Sequence, residues 1–329
     1  MHLNFKKMKK LTFIFLCLFF ISCEENLNID IPIDKSRLSI TSNLLADDYF
    51  NGQYSYVYVS NSISALESDD NFHYTDSIPV INNATVSIYE TNELQENLAS
   101  YVLEFDYDCY CYNNPDLSPK QNTTYRLEVE AYGYPDIYAI DKVPAKPSYE
   151  ITDFELLGYL DKKSYDGELS QFNLVINDDP FTENYYQLKI FVVNTSNAKV
   201  RTCSYSVSDA SFLNPLNDTD SEGNYSGGSA YFTDELFNGT SKSFFIQQFK
   251  PQGIFDHFFI ELRALSRDLY EFNKTRREES ATSNNPLFVS EPIFLHSNIE
   301  NGYGIFGGKS ESNKAYIPTY FPNNGWLSY

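Results

Sequence analysis

Short segments in which apolar and polar residues alternate run through most of this chain, and they constrain its fold more than any other feature. Tyr125, Leu127 and Val129, for example, alternate with Arg126 and Glu128. A period of two residues puts alternate side chains on opposite faces of a β-strand, so each such segment predicts a strand with one buried face. Similar segments, some more continuously apolar, lie at 38–44, 54–59, 84–89, 137–143, 172–176, 185–193, 243–249 and 257–265.

The composition agrees with a mostly β protein, because 27 Tyr and 26 Phe residues suit half-buried, pleated surfaces. The prolines within 144–147 indicate a linker, since proline cannot donate to a sheet ladder. We therefore predict two β-sandwich-like domains, 37–147 and 148–329, and expect the first to be immunoglobulin-like or transthyretin-like.

One segment of the second predicted domain has a helical pattern. Ser266 is suited to be the N-cap, with Asp268 in the first turn and Leu265 and Tyr270 spaced as a hydrophobic staple. We therefore predict one short helix in an otherwise β-rich domain.

The first 22 residues have the layout of a secretory signal. Four lysines precede an apolar run from Leu11 to Ile21, and the small residue Ser22 stands before Cys23. The run is too short to span a membrane, which takes roughly 20 residues. Because a cysteine after Ser22 resembles the lipobox of bacterial lipoproteins, we predict a signal peptide at 1–22 and an acylated tether at 23–36, with the lipid on Cys23. The alternative is a plain secreted protein cut near Ser22.

Acidic residues follow the predicted lipid site and dominate the chain. Glu24 and Glu25 resemble the surface-export signal of lipoproteins in the Bacteroidota, which predicts an outer-membrane, lipid-anchored protein facing the cell exterior; a solvated acidic tether is the alternative. The whole chain has 24 basic and 45 acidic residues and a net charge of −21. Such a charge repels nucleic-acid phosphates, so we predict no nucleic-acid partner.

Three cysteines lie beyond Cys23, at positions 109, 111 and 203. An odd number in an exported protein leaves at least one thiol unpaired. Cys109 and Cys111 point to the same face of a regular strand, so a disulfide between them needs a tight turn. We expect no bond from either to Cys203, because it would join the two predicted domains, and two thiols alone make a poor metal site.

Four stretches of the sequence carry a resemblance to a known family. They are 23–25 with 38–40, 81–88 with 124–129, 177–180 with 185–186, and 266–270 with 285–292 and 297–307. With these stretches the chain resembles the Bacteroidota lipoproteins grouped as domain of unknown function 4249, over essentially the whole mature chain. The resemblance implies an outer-membrane lipoprotein often encoded near TonB-dependent transporters, and it implies no activity or catalytic residue.

Closely spaced glycines mark the most specific of these stretches. Phosphate-binding loops place such glycines before a helix, but the context here is β and no Lys-Ser/Thr follows. The pattern favours a tight turn or bulge with positive φ, and a partner-docking turn is the alternative. The residues of this candidate docking turn are Asn301, Gly302, Tyr303, Gly304, Ile305 and Phe306.

Two further candidate sites depend on short patterns. Asp218, Asp220 and Glu222 resemble the start of a calcium loop, but position 12 of that register is Ser229 rather than a bidentate Glu. They are therefore a weak calcium candidate, and we predict no metal site. Asp76-Ser77-Ile78 resembles the Bacteroidota O-glycosylation pattern, which makes Ser77 a candidate for glycosylation; an unmodified loop is the alternative.

The chain contains no HExxH, GxSxG or Cys/His nucleophile arrangement, so we predict no enzyme, no catalytic residue and no cofactor. We expect a non-catalytic binding or accessory subunit of a TonB-dependent barrel protein or another outer-membrane complex. The alternative from another class is a structural or adhesive cell-surface lipoprotein outside any transport complex. A hydrolase that uses the acidic loop at Asp218 and Asp220 is a third hypothesis.

Overall fold

The computed structural model describes residues 36–46, 55–62, 80–162, 165–194, 199–214, 216–217, 219, 224–250, 255–283, 294–312 and 315–318. All of them belong to one unit of the chain, Ser36–Tyr329. They form 20 strands, one 3-10 turn and one α-helix, which confirms the predicted mostly β fold with a single helix.

The strands are β1 (Leu38–Ala46), β2 (Tyr56–Asn61), β3 (Thr85–Thr91), β4 (Asn97–Asp106), β5 (Cys111–Asn113), β6 (Thr124–Glu130), β7 (Ile137–Lys142), β8 (Tyr149–Lys162), β9 (Tyr165–Asn177), β10 (Tyr185–Asn194), β11 (Lys199–Thr202), β12 (Ser204–Val207), β13 (Tyr225–Gly227), β14 (Ser229–Thr233), β15 (Ser241–Lys250), β16 (His257–Leu265), β17 (Ile299–Glu300), β18 (Tyr303–Ile305), β19 (Gly308–Glu311) and β20 (Ala315–Pro318). The 3-10 turn η1 is Ala210–Phe212, and the helix α1 is Arg267–Ser283. In the described part of the chain, no helix is both long and apolar enough to cross a membrane.

The strands of the described residues divide into two sheets. The larger has 15 strands along the path β11-β10-β16-β19-β1-β2-β5-β4-β3-β6-β7-β17, with β14, β18 and β20 paired to β10, β1 and β16. The smaller has five strands in the order β13-β12-β15-β9-β8. The buried residues fall into two large clusters, one mostly from residues before 147 and one from residues after it. The division into domains 37–147 and 148–329 stays a prediction.

The first cluster lies inside the N-terminal half of the large sheet. Val59 of β2 and Leu127 of β6 are both fully buried in it, so the path from β1 to β7 curls over on itself to enclose one core. Tyr112 of β5 is a member of this cluster that carries a polar group. Its hydroxyl donates to the carbonyl of Ile81 at 2.9 Å and accepts from the N–H of Ala84 at 2.8 Å. A buried hydroxyl is tolerated because both of its hydrogen-bonding roles are satisfied.

The second cluster lies between the five-stranded sheet and the β10, β14 and β16 strands of the large sheet, which is a sandwich arrangement. Phe244 of β15 and Phe232 of β14 meet across this core with ring centroids 5.4 Å apart. The hydroxyl of Tyr205 on β12 crosses it and donates to the carbonyl of Leu188 on β10 at 2.7 Å. Aromatic side chains from both layers therefore contribute to the packing of this core, together with aliphatic ones.

The C-terminal segment returns to the N-terminal half. Strand β17 pairs with β7, and β18 and β19 both pair with β1 in parallel. Gly304 makes this approach possible, because it has φ +105° and a Cβ there would overlap the carbonyl oxygen of Ile40. Ile299 and Phe306 are accordingly buried in the first cluster. The predicted tight turn with positive φ is confirmed at Asn301 and Gly304.

The Asn, Asp, Ser and Gly content of residues 214–229 is typical of a long loop, but the structure places β13 within this segment, and β14 begins at its end. The structure also adds the hairpin of β8 and β9, most of which the alternation did not predict. The pairing of β8 is irregular between Thr152 and Glu155 and between Leu156 and Gly158. An irregularity of this kind shifts the alternation of apolar and polar residues by one position, so a strand that contains it lacks a continuous period of two in its sequence.

Candidate functional site

A cleft of about 720 Å³ lies beside the N-terminal half of α1. Its other walls are the segment that leads into β10, the η1 turn and the turn that follows β14. A volume of this size is within the usual range for small-molecule sites. The residues that line the cleft include Glu183, Tyr185, Leu213, Asn214, Asp234, Glu235, Leu236, Tyr270, Glu271 and Lys274.

Asp178 fixes the wall that leads into β10. Its carboxylate accepts hydrogen bonds from the hydroxyl of Tyr186 at 2.8 Å, the side-chain amide of Asn184 at 3.2 Å and the N–H of Gly239 at 2.9 Å. Burial, and then the hydrogen bond to Asp178, raise the pKa of Tyr186, so this phenol remains a donor. The three bonds tie the start of β10 to the turn after β14.

Asp234 makes a second link between the same two walls. Its carboxylate accepts from the N–H of Asn184 at 2.8 Å, while its carbonyl accepts from the N–H of Phe237 at 2.7 Å. Burial raises the pKa of the Asp234 carboxyl, and the hydrogen bond from the N–H of Asn184 partly offsets this increase. Asp234 is therefore engaged in holding the cleft together, in contrast to the exposed Glu235 beside it.

The helix wall begins as the sequence predicts. The Ser266 hydroxyl oxygen accepts from the N–H of Leu269 at 3.3 Å, which confirms the N-cap. Leu265 and Tyr270 belong to one small buried cluster, which confirms the staple pair. The ring of Tyr270 lies 4.9 Å from that of Tyr185, so the helix and β10 meet at the base of the cleft through two tyrosines.

The η1 wall is capped and anchored by polar side chains. Asp209 accepts from the N–H of Ser211 at 2.9 Å and pairs with Lys242 at 2.8 Å. Asn214 donates to the carbonyl of Tyr231 on β14 at 2.7 Å. These contacts position the exposed side chain of Leu213 at the rim.

The charge of the cleft is acidic. Glu183, Glu235 and Glu271 face one cation, Lys274, whose amine is 3.6 Å from Glu271. The hydroxyl of Tyr185 donates to Glu183 at 3.2 Å. Burial, followed by the charge of Glu271, raises the pKa of Tyr270 to about 12. At neutral pH the site therefore presents protonated phenols beside carboxylate side chains.

This arrangement is suited to binding. Tyrosine rings offer flat apolar surface with a polar tip, and carboxylates accept from ammonium, guanidinium or hydroxyl groups. Within the described ranges, no group of three or more His, Cys, Asp or Glu side chains comes together to hold a metal ion. The cleft therefore favours a polar ligand that carries hydroxyl or cationic groups.

Most residues predicted as sites lie outside the described residues. These are the lipidation residue Cys23, the export-signal residues Glu24 and Glu25, the glycosylation candidate Ser77, and the calcium candidates Asp218, Asp220 and Glu222. The roles assigned to them stay predictions.

The candidate docking turn is described, and it lies at the return of the chain to β1 rather than at the cleft. Ile305 and Phe306 are buried, whereas Asn301 and Tyr303 are exposed. Arg37 lies over the ring of Tyr303 at 5.5 Å from its centroid. Partner docking at 301–306 stays a prediction, and in this structure it depends on the side chains of Asn301 and Tyr303.

Cys109 and Cys111 form a disulfide. The tight turn that this bond needs is present, because Tyr110 between them has φ +53°. Cys203 is buried and forms no disulfide, so it is the unpaired thiol that the odd number of cysteines predicts.

The cleft residues were not predicted as a site. Glu183, Glu235 and Glu271 come from three segments far apart in the sequence, and their spacing resembles no binding motif. Two features of the sequence did indicate walls of the cleft. They are the Asp-Asp-Pro turn at 178–180, which leads into β10, and the N-cap Ser266, at which α1 begins.

Comparisons with known proteins give one clear result. A search of curated proteins found no match. Among solved structures, the collagen adhesin of S. aureus aligns at 10% identity over 86% of this chain and 95% of that chain, with a TM-score of 0.18, which is too low to support any argument. The family described as domain of unknown function 4249 matches residues 24–315. The chain therefore belongs to this family.

Proposed function

We propose that this protein is a lipid-anchored outer-membrane protein of the Bacteroidota, facing the cell exterior, and that it is a non-catalytic binding or accessory subunit of a TonB-dependent transporter or another outer-membrane complex. The observation that carries the binding role is the acidic, tyrosine-lined cleft between α1, η1 and β10. The lysine-led apolar segment before Cys23, with Glu24 and Glu25 after it, supports the anchoring and the outward orientation.

The rim of the cleft supports contact with a partner or a bound ligand. Leu236 and Leu213 are more than half exposed on either side of the opening. Apolar side chains at the rim of an acidic site are suited to a ligand that combines apolar surface with hydroxyl or cationic groups.

The test is an affinity purification of the C-terminally tagged, full-length chain from gently solubilised native outer membranes, read by mass spectrometry. We expect a stoichiometric barrel protein to be recovered. Leu236→Asp, which adds a charge at the cleft, is expected to reduce recovery. Leu94→Asp is the matched control, because Leu94 is 77% exposed in the turn between β3 and β4 and does not line the cleft.

Recovery of the monomer alone contradicts the accessory role and favours the structural or adhesive alternative. If the two variants recover the barrel protein equally, the accessory role stands, but the cleft is not the surface that contacts the barrel.

A further inference from the structure

Five charged side chains lie together on one face of the large sheet, where β10, β16 and β19 are adjacent. The register places Lys189 opposite Glu261 and Arg263 opposite Glu311. Lys309 is two residues from Glu311 on β19, so both point to the same side of the sheet. We call these five residues the Lys189–Lys309 cluster.

The guanidinium group of Arg263 forms ion pairs with both carboxylates of the cluster. Its Nε lies 2.5 Å from Oε1 of Glu261, and its Nη2 lies 2.6 Å from Oε1 of Glu311. The side chains of all three are at most 8% exposed. Charge-assisted pairs with guanidinium are strong and directional in such surroundings, so Arg263 holds each carboxylate through one oxygen, and the three cations of the cluster exceed its two carboxylates by one.

The two lysines therefore form a surplus of positive charge. Both are half-buried, and neither amine forms a hydrogen bond or an ion pair with another side chain in the described part of the chain. Burial lowers the pKa of Lys309 to about 7, with Arg263 and Lys189 as the next causes and Glu311 and Glu261 opposing them. Burial and then Arg263 also lower the pKa of Lys189. Both shifts agree with buried amines at which Glu261 and Glu311 only partly offset the effects of burial and of Arg263.

We propose that the Lys189–Lys309 cluster binds a compact oxyanion, a carboxylate or a phosphate-like group, between the amines of Lys189 and Lys309. An oxyanion there receives hydrogen bonds from two ammonium groups, and its negative charge offsets the one positive charge by which the three cations exceed the two carboxylates. The site differs from the acidic cleft in charge and in residues, and it does not depend on the accessory role proposed above.

Anion binding at this cluster depends on pH. The charged groups that face Lys309 are Lys189 on β10, Arg263 and Glu261 on β16, and Glu311 on β19. Because an anion favours the charged amine, it raises the pKa of Lys309 on binding. Affinity therefore decreases as the pH rises through about 7.

The experiment is an NMR titration of the full mature chain with its lysines ¹³C-labelled at Cε. The probes are sulfate and acetate, whose charges stay constant between about pH 6 and pH 9. We expect saturable shifts at Lys189 and Lys309 near pH 6, and weaker binding near pH 9. Tighter binding of sulfate indicates a tetrahedral oxyanion as the natural group, and tighter binding of acetate indicates a carboxylate.

Two variants and one control locate the site. Lys189→Met and Lys309→Met are expected to weaken binding at least about tenfold, equivalent to about 1.4 kcal/mol. Lys142→Met is the matched control, because Lys142 is exposed on β7, and it is expected to bind as the unaltered chain does. The titration of the unaltered chain tests the proposal even if a variant does not fold. Non-saturating shifts, or a Lys309 pKa that neither probe raises, overturn it.

Discussion

The approach of β18 to β1 depends on the absence of a side chain at Gly304, and this can be tested with a matched pair of substitutions. Gly304 has φ +105°, and a Cβ at this position overlaps the carbonyl oxygen of Ile40. Gly133 also has a positive φ, +89°, but nothing lies within 4 Å of a Cβ built there. Replacing each by alanine separates the cost of the backbone conformation from the cost of the overlap.

The two costs can be estimated. A left-handed conformation costs an L-residue about 1–2 kcal/mol, and this term applies to both variants. In Gly304→Ala the overlap also forces β18 away from β1, where three residue pairs are in register. Loss of two hydrogen bonds at roughly 1 kcal/mol each adds about 2 kcal/mol. We therefore expect Gly304→Ala to lower the free energy of unfolding by about 3–4 kcal/mol and Gly133→Ala by about 1–2 kcal/mol.

The assay is equilibrium unfolding in urea, with the midpoint and slope compared for the three proteins. If both variants lose the same stability, β18 does not lie against β1 in the register described, and the reasoning fails. Amide hydrogen exchange of β1 is a second readout, because loss of β18 exposes the N–H groups on that edge of β1.

Two further predictions follow from local contacts. Ser266→Ala removes the acceptor for the N–H of Leu269 and the hydroxyl that hydrogen-bonds the buried carboxylate of Asp141, and we expect it to lower the unfolding free energy by about 1–2 kcal/mol, whereas Ser266→Thr should retain most of the stability because it keeps the hydroxyl. Thermal unfolding monitored by circular dichroism measures both variants, and equal losses contradict the cap. Burial raises the pKa of Cys203 to about 12, so we expect its thiol to react with a water-soluble disulfide reagent only after unfolding; rapid reaction of the native protein contradicts its burial.

Strands with one regular buried face could be predicted from the sequence. β6 and β7 lie within a residue or two of the segments that the pattern indicated, because no bulge interrupts their alternation. β4 could not be found in this way. Its outward side chains include the exposed Leu98 and Val102, which conceal the difference between its two faces. In β8, Asp153 has φ +54°, which interrupts the strand close to an irregularity in its pairing.

The cleft and the Lys189–Lys309 cluster could not be predicted, for a different reason. Lys189, Arg263 and Lys309 are isolated in the sequence and meet only through the pairing of β10, β16 and β19. Pairing between distant strands leaves no local spacing that marks such a site. The tight turn around Gly304 was predictable because glycine spacing reports backbone conformation directly.

The parallel pairing of β1 with β18 and β19 has a consequence for the order in which the chain becomes structured. The N–H of Gly307 donates to the side chain of Ser42 across 265 positions of sequence. During synthesis, therefore, the edge of β1 that faces β18 and β19 has no strand to pair with until these two strands have emerged. An open edge can pair with other chains, so a truncated product that ends before β18 is expected to aggregate or to depend on a holding chaperone. Completion of this part of the sheet therefore waits for the arrival of β18 and β19, although β1 is the first strand described.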